Sequence, residues 1–306
     1  MGKYLLRRVL LFIPTLWVAI TLVFVIFRLV PGDPAQLIAG ELAPEEVVQS
    51  IRRDMGLDQP LHIQYVLYLD RLAHGDLGIS KVYQQRAMDQ LMARLPATAL
   101  LAATAMLIAS AVGVLAGVVS AIRRYSWLDY ASMLAAVGGV SMPGFWLGLM
   151  LMIVFSVWLG LLPVSGFTGP SSIILPAVTL AANQMAVIAR MTRSSMLEVL
   201  GQDYVRTARA KGLQERLVTL RHALRNALIP TTTIAGLQLG YLLGGSVVIE
   251  TVFAWPGIGR LMIDSIQMRD YTMVQAVALT YAVLMLGVNL CVDVLYAALD
   301  PRVKYG

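Results

Sequence analysis

The chain has 306 residues, of which 58% are hydrophobic, and 24 basic against 18 acidic side chains give it a net charge of +6. With a mean hydropathy of +0.71 it lies above the roughly 45–50% apolar content of soluble domains, which excludes a pair of ordinary soluble domains and points to the membrane. A lone cysteine, Cys291, and three scattered histidines, His62, His74 and His222, exclude an intramolecular disulfide and offer no metal-ligand spacing, so no metal site is expected. The first predicted element follows at once. Lys3, Arg7 and Arg8 precede an apolar run from Val9 to Phe27, about the ~20 residues that cross hydrocarbon, and no small-residue cleavage site follows it.

Pro31-Gly32-Asp33-Pro34 breaks that helix, and residues 31–97 form the longest polar region. Turn signals stand at Met55-Gly56-Leu57-Asp58-Gln59-Pro60 and Gly75-Asp76-Leu77-Gly78. Further spans are predicted at Ala97 to Ile122, Tyr130 to Leu161, Ile173 to Met196, Leu228 to Ile249 and Met273 to Leu299. The third exceeds the bilayer and contains Ser141-Met142-Pro143-Gly144, so a tilt or kink is expected there. Gly113 and Gly117, and Gly236, Gly240 and Gly244, lie four apart and allow close helix approach, with a hinge or gate as the other use. Between Glu250 and Tyr271 a stretch too short and too charged to span is expected to be re-entrant or interfacial, with Phe253 and Trp255 at the headgroup level.

Charge is distributed by topology. Region 31–97 holds nine acidic and six basic residues, whereas 190–225 holds eight basic and three acidic ones. Arg123 and Arg124, and Arg302 with Lys304, mark the same face as the second cluster, so the positive-inside rule places both termini in the cytoplasm. This explains the basic balance better than nucleic acid does, since no exposed aromatics interleave with the charge.

The segment DYVRTARAKGLQERLVTLRHALRNALIP, residues 203–230, interrupts the greasy sequence with a helix-patterned basic stretch. Gly201-Gln202-Asp203 offers a turn and an N-cap, Tyr204 to Lys211 two turns of helix, and Gly212 a left-handed cap. Arg206 and Arg209 share one face and Tyr204 and Ala208 another, and a second helix from about Leu213 carries Arg216, Arg221 and Arg225 towards Pro230.

These residues resemble the cytoplasmic coupling loop of permease subunits in binding-protein-dependent ABC importers, in the dipeptide, oligopeptide, glutathione and nickel branch. The general importer pattern is Glu-Ala-Ala, three residues, then Gly; here Arg206-Thr207-Ala208 fills the first places, with Arg in place of the acid, and Gly212 the last. The VPGDP, MGLDQP, GDLG, FAWPGIGR and DPR stretches are similar to the same branch. The resemblance implies an all-α membrane protein of type I importer architecture: six transmembrane helices, a long extracytoplasmic first loop and a cytoplasmic coupling-helix loop. Its parts are a tail and first span over 1–30, a periplasmic region over 31–97, and a permease core over 98–306 with the coupling loop at 198–227.

By the same resemblance Asp203, Tyr204, Arg206, Thr207, Ala208, Arg209, Ala210, Lys211 and Gly212 dock on an ATPase, and Trp255, Pro256, Gly257, Asp270 and Tyr271 meet a binding protein. The implied partners are a second homologous permease, two ATPase subunits or domains, an extracytoplasmic substrate-binding protein and membrane lipid. The implied location is the bacterial inner membrane, and the cargo short peptides, with glutathione or nickel as alternatives.

No phosphate loop occurs in the chain, so ATP and Mg²⁺ belong to partners and the chain itself needs no cofactor. An intramembrane protease fails for want of a histidine in a span or a GxSxG elbow, so no catalytic residue is expected. Ion coupling would call for ionisable groups at midplane. Neutral amides stand there instead: Asn183, Gln184 and Gln238, with Asn289 somewhat deeper. They line a path for polar cargo or hydrogen-bond between helices.

Overall fold

The computed structural model describes residues 2–29, 34–40, 43–54 and 56–299. Pro31-Gly32-Asp33, Glu41, Met55 and the closing Asp300-Pro301-Arg302 with Lys304 lie outside the described residues. Helices make up the chain: α1 (Gly2–Leu29), α2 (Pro34–Ala39), α3 (Glu45–Asp54), α4 (Leu61–Ala73) and α5 (Ala87–Ile122). There follow α6 (Trp127–Ser141), α7 (Gly144–Met152), α8 (Ile174–Leu200), α9 (Asp203–Ala210), α10 (Glu215–Leu217), α11 (Arg225–Val252), α12 (Ile258–Gln267) and α13 (Tyr271–Leu299). Among the described residues no strand forms, only an isolated bridge between Ile79 and Arg86.

Five helical stretches among the described residues are long and apolar enough to cross a membrane: Arg7–Leu29, Ala87–Ile122, Pro170–Leu200, Glu215–Val252 and Tyr271–Val294. The third predicted span is broken. Trp127–Gly139 and Gly144–Trp158 meet at 106°, far more than the expected kink. The cause is Pro143. Residues before proline are held out of the helical region, and Met142 is extended at φ −87° and ψ 130°. Ile153–Trp158 then continues α7 as widened π-turns.

Two expected boundaries are corrected. The second span does not begin at Ala97, because α5 starts at Ala87 and runs through Pro96. Its first turns are amphipathic, and Ala87 and Leu91 are buried against Ile258, Leu261, Met273, Ala276 and Val277. That packing outweighs the proline, whose lost N–H bond is one among many. The second helix of the basic segment is likewise not separate from the fifth span. Glu215–Val252 is one continuous helix, with a π-helical foot at Val218–Leu224 and Pro230 inside it.

The chain divides into two compact units. The first comprises 1–9, 99–255 and 287–306. In it α5 comes so close to α8 that a Cβ on Gly113 would lie 2.8 Å from Met185 O and one on Gly117 2.6 Å from Ala189 O. Gly236 on α11 is filled in the same way by Val292 of α13, at 2.8 Å. Arg8 Nη1 bonds Asp293 Oδ2 at 3.0 Å, so the start of α1 and the late part of α13 meet. The second unit comprises 10–98 and 256–286. There Phe24 of α1 packs on Tyr65 and Tyr68 of α4, and Ile258 N–H donates to Thr98 Oγ1 at 2.9 Å, setting α12 on α5.

Candidate functional site

The basic segment folds into the expected short helix, α9, with one change at its start. Gln202 occupies the N-cap without a side-chain bond, and Asp203 is the first helical residue, where a carboxylate favours the dipole. The end is as expected. Gly212 has φ +76°, its N–H donates to Arg209 O at 2.9 Å, and Leu213 N–H donates to Ala208 O at 3.4 Å. These paired bonds satisfy the last carbonyls of α9 and turn the chain back towards α10.

The helix has an inner and an outer face. Val205 (0% exposed) and Ala208 (7%) are buried against Val218, with Leu200 and Leu213 closing over them. Ala208 therefore pairs with Val205 and not with Tyr204, and it is withdrawn from any docking surface; apolar burial dictates that face. Asp203, Tyr204, Arg206, Thr207, Arg209, Ala210, Lys211 and Gly212 remain exposed. Arg206 Nη1 stands 3.5 Å from Asp203 Oδ1, and Arg209 Nε 2.5 Å from Glu215 Oε1. Both pairs are solvated and worth little stability.

Tyr204 points at the foot of the long helix. Asn226 Nδ2 donates to its hydroxyl at 2.7 Å, and the hydroxyl donates to His222 O at 3.4 Å. Thus α9 holds the π-helical foot through Val218 and His222 O, and the first turn of α11 through Asn226. From Val218 to Gln238 the same helix rises about 30 Å.

At Gln238 it meets the amide cluster. Gln238 Nε2 donates to Gln184 Oε1 of α8. Both glutamines and Asn183 line a cavity of about 610 Å³, shared with Thr179, Tyr241 and Phe145. Three of the four expected amides are thus brought together. Asn289 is not among those lining it and stands exposed on α13.

A second polar site carried no recognisable motif. Asp129, 2% exposed at the start of α6, receives Arg193 Nε at 2.7 Å and Nη2 at 2.8 Å, the Ser120 hydroxyl, and Tyr125 N–H at 3.0 Å. It ties α5, α6 and α8 together next to the turn at 123–126. Tyr125 at φ +63° is the backbone strain that aims its N–H.

The outer stretch corrects the expectation most. Trp255 is fully buried, with its ring edge-on to Phe167 at 5.3 Å and its backbone N–H donating to Glu250 O at 2.8 Å. Phe253 is buried too and touches the open side of Gly148, so neither ring anchors at headgroups. Burial of these large apolar faces outweighs any surface role. Gly257 and Asp270 are also buried, and Asp270 receives the Ser80 hydroxyl and Met273 N–H (3.0 Å) as a clasp on the start of α13. Of the five expected binding-protein contacts only Pro256 is exposed, with Tyr271 partly so.

The profile of the family "Binding-protein-dependent transport system inner membrane component" matches residues 113–305, and that of the corresponding N-terminal component matches 1–102. The chain is 48% identical over 305 residues to the glutathione transport system permease protein GsiC of Escherichia coli O6:H1 (strain CFT073), covering 100% of both chains. The proteins of that name in Escherichia coli strain K12 and Shigella flexneri serotype 5b are 47% identical over the same length. Among solved structures, the inward-facing MetNI methionine ABC transporter superposes with TM-score 0.59 at 18% identity, over 70% of this chain and 97% of that one. An amino acid ABC transporter with histidines gives 0.55 at 15%, over 69% and 95%. The chain belongs to the inner-membrane components of binding-protein-dependent transport systems, as a permease subunit of an ABC importer of the peptide and glutathione branch.

Proposed function

We propose that this permease forms half of a translocation pathway for short peptides, glutathione among them, and receives its force through α9. A second homologous permease completes the pathway. Two ATPase subunits or domains hold ATP and Mg²⁺, an extracytoplasmic binding protein delivers cargo, and both termini lie in the cytoplasm. Glutathione is favoured over nickel by the relatives' name and by the neutral amides of the cavity, which donate and accept hydrogen bonds without fixing on one charge.

The observation that carries this reading is the continuous helical connection from the exposed basic face of α9 to Gln238. ATP-driven closure of the ATPases displaces α9. Val205, Ala208 and Tyr204 pass that displacement to the foot of the long helix, and its other end shifts Gln238 against Gln184 beside the cavity. The cavity then opens to one side or the other.

Single cysteines at Arg206 or Arg209, in a Cys291→Ser background because Cys291 is exposed, should crosslink to the ATPase. The yield should change with bound nucleotide. Intact transport with no crosslink from either position would remove the helix from the force path.

A further inference from the structure

The second unit contains a cavity of about 790 Å³ that nothing above uses. Arg28, Arg71, Lys81 and Arg86 line it, against only Asp76 and Asp89. Among the described residues no carboxylate lies within 4.0 Å of any of these four cations. Asp76 is already committed to its own turn, where its Oδ1 accepts Gly78 N–H at 2.8 Å.

The cavity is built rather than incidental. Gln64, only 9% exposed, is fixed by donating to Gln59 O at 2.8 Å, and its Oε1 accepts Arg28 Nε at 2.8 Å. The guanidinium also lies 4.8 Å over the ring of Phe24. Arg28 is therefore held in one place, with its entropy already lost before any ligand arrives. The opposite wall is the GDLG turn. Gly75 and Gly78 have φ of +72° and +89°, and a Cβ on Gly78 would meet Thr272 at 2.7 Å, so the turn closes directly onto α13. Tyr68, on α4 beside Phe24, also lines the cavity, and its Oη is buried without a hydrogen bond of good geometry among the described residues. Burial pushes its phenol up, and the neighbouring Gln275 amide and the Arg28 charge oppose that shift. A buried hydroxyl with no partner is costly and is satisfied by a ligand or water.

We propose that this cavity binds an oxyanionic group, a carboxylate or phosphate, through Arg28, Arg71, Lys81 and Arg86, with Tyr68 and Gln275 as neutral donors. Planar guanidiniums suit such groups because they donate in parallel pairs. The volume lies in the range of small-molecule sites. The inference goes beyond the transport reading and does not need it, since a failed crosslink at α9 leaves the cavity's chemistry unchanged.

The test uses the importer purified with its partner subunits in nanodiscs of phosphatidylcholine. Two probes distinguish the sources of the anion. Glutathione supplies free carboxylates, and replacing a fifth of the lipid by phosphatidylglycerol supplies a headgroup phosphate. One of them should raise the thermal midpoint, and Arg71→Gln with Arg86→Gln, both exposed positions, should weaken that response at least tenfold in probe concentration. Arg28→Lys, which keeps charge but loses the bond to Gln64, should weaken it less. A response to glutathione surviving Arg71→Gln/Arg86→Gln belongs to another site and overturns the proposal, as does no response to either probe.

Discussion

Asp129 shows how much one carboxylate can organise. It accepts from Arg193, Ser120 and the Tyr125 amide, so that three helices are pinned at one buried point. Removing one member of such a pair strands the other, whereas replacing both by apolar groups costs less. Asp129→Asn should therefore lower stability by about 2–3 kcal/mol, below the full cost of a buried pair because Arg193 keeps some solvent contact. Asp129→Leu with Arg193→Met should recover part of that loss. Thermal unfolding of both variants in detergent checks the order, and a double variant worse than the single one would show that the charge, rather than its satisfaction, matters. Neither Asp129 nor Asp270 was legible in the sequence. Their partners are 64 and 190 residues away, and a carboxylate beside a turn looks the same whether its ligands are distant side chains or water. Trp255 misled for a related reason: an aromatic next to Pro-Gly fits an interfacial anchor equally well until Phe167 and Glu250 are seen around it.

Elements with strong local signals were readable. The helix of α9 and its Gly212 stop follow from a two-turn pattern ended by a residue that tolerates positive φ, and the break after Met142 follows from proline. The start of α5 was not readable, because Pro96 is a local breaker and the packing that overrides it comes from α12 and α13. The glycines make the same distinction testable. By spacing alone Gly117 and Gly244 are equivalent, yet a Cβ at Gly117 would lie 2.6 Å from Ala189 O and from Thr192 Cβ, while one at Gly244 meets nothing within 4 Å. Gly117→Ala should force α5 from α8 and cost about 1–3 kcal/mol. Gly244→Ala should be neutral or raise the midpoint, because alanine favours helix by up to ~1 kcal/mol. Melting midpoints and expression of the two variants in the purified subunit check this; equal losses would mean that helix contact does not explain the spacing.

At the scale of the whole molecule the question is where the force enters. Among the described residues no Asp, Glu, Lys, Arg or His lines the amide cavity, and the exposed cationic face of α9 sits at the foot of a helix long and apolar enough to cross a membrane. The chain alone in liposomes should therefore move no solute uphill under a proton gradient, and uptake should require ATP, the ATPase subunits and the binding protein. Val205→Asp isolates the connection itself. It places a charge at a fully buried position, between α9 and Val218, where an unpaired carboxylate is strongly disfavoured, so α9 should detach from the foot of the long helix. Transport should fall more than tenfold, while the ATPases continue to hydrolyse ATP at their basal rate, because Val205 is buried inside this chain. Limited proteolysis at Lys211 should accelerate in the same variant, reporting the loosened helix independently of transport. Loss of both transport and hydrolysis with unchanged proteolysis would mean that the variant disrupts assembly. Full transport with accelerated proteolysis would show that force reaches the cavity by another route than the rod from Val218 to Gln238.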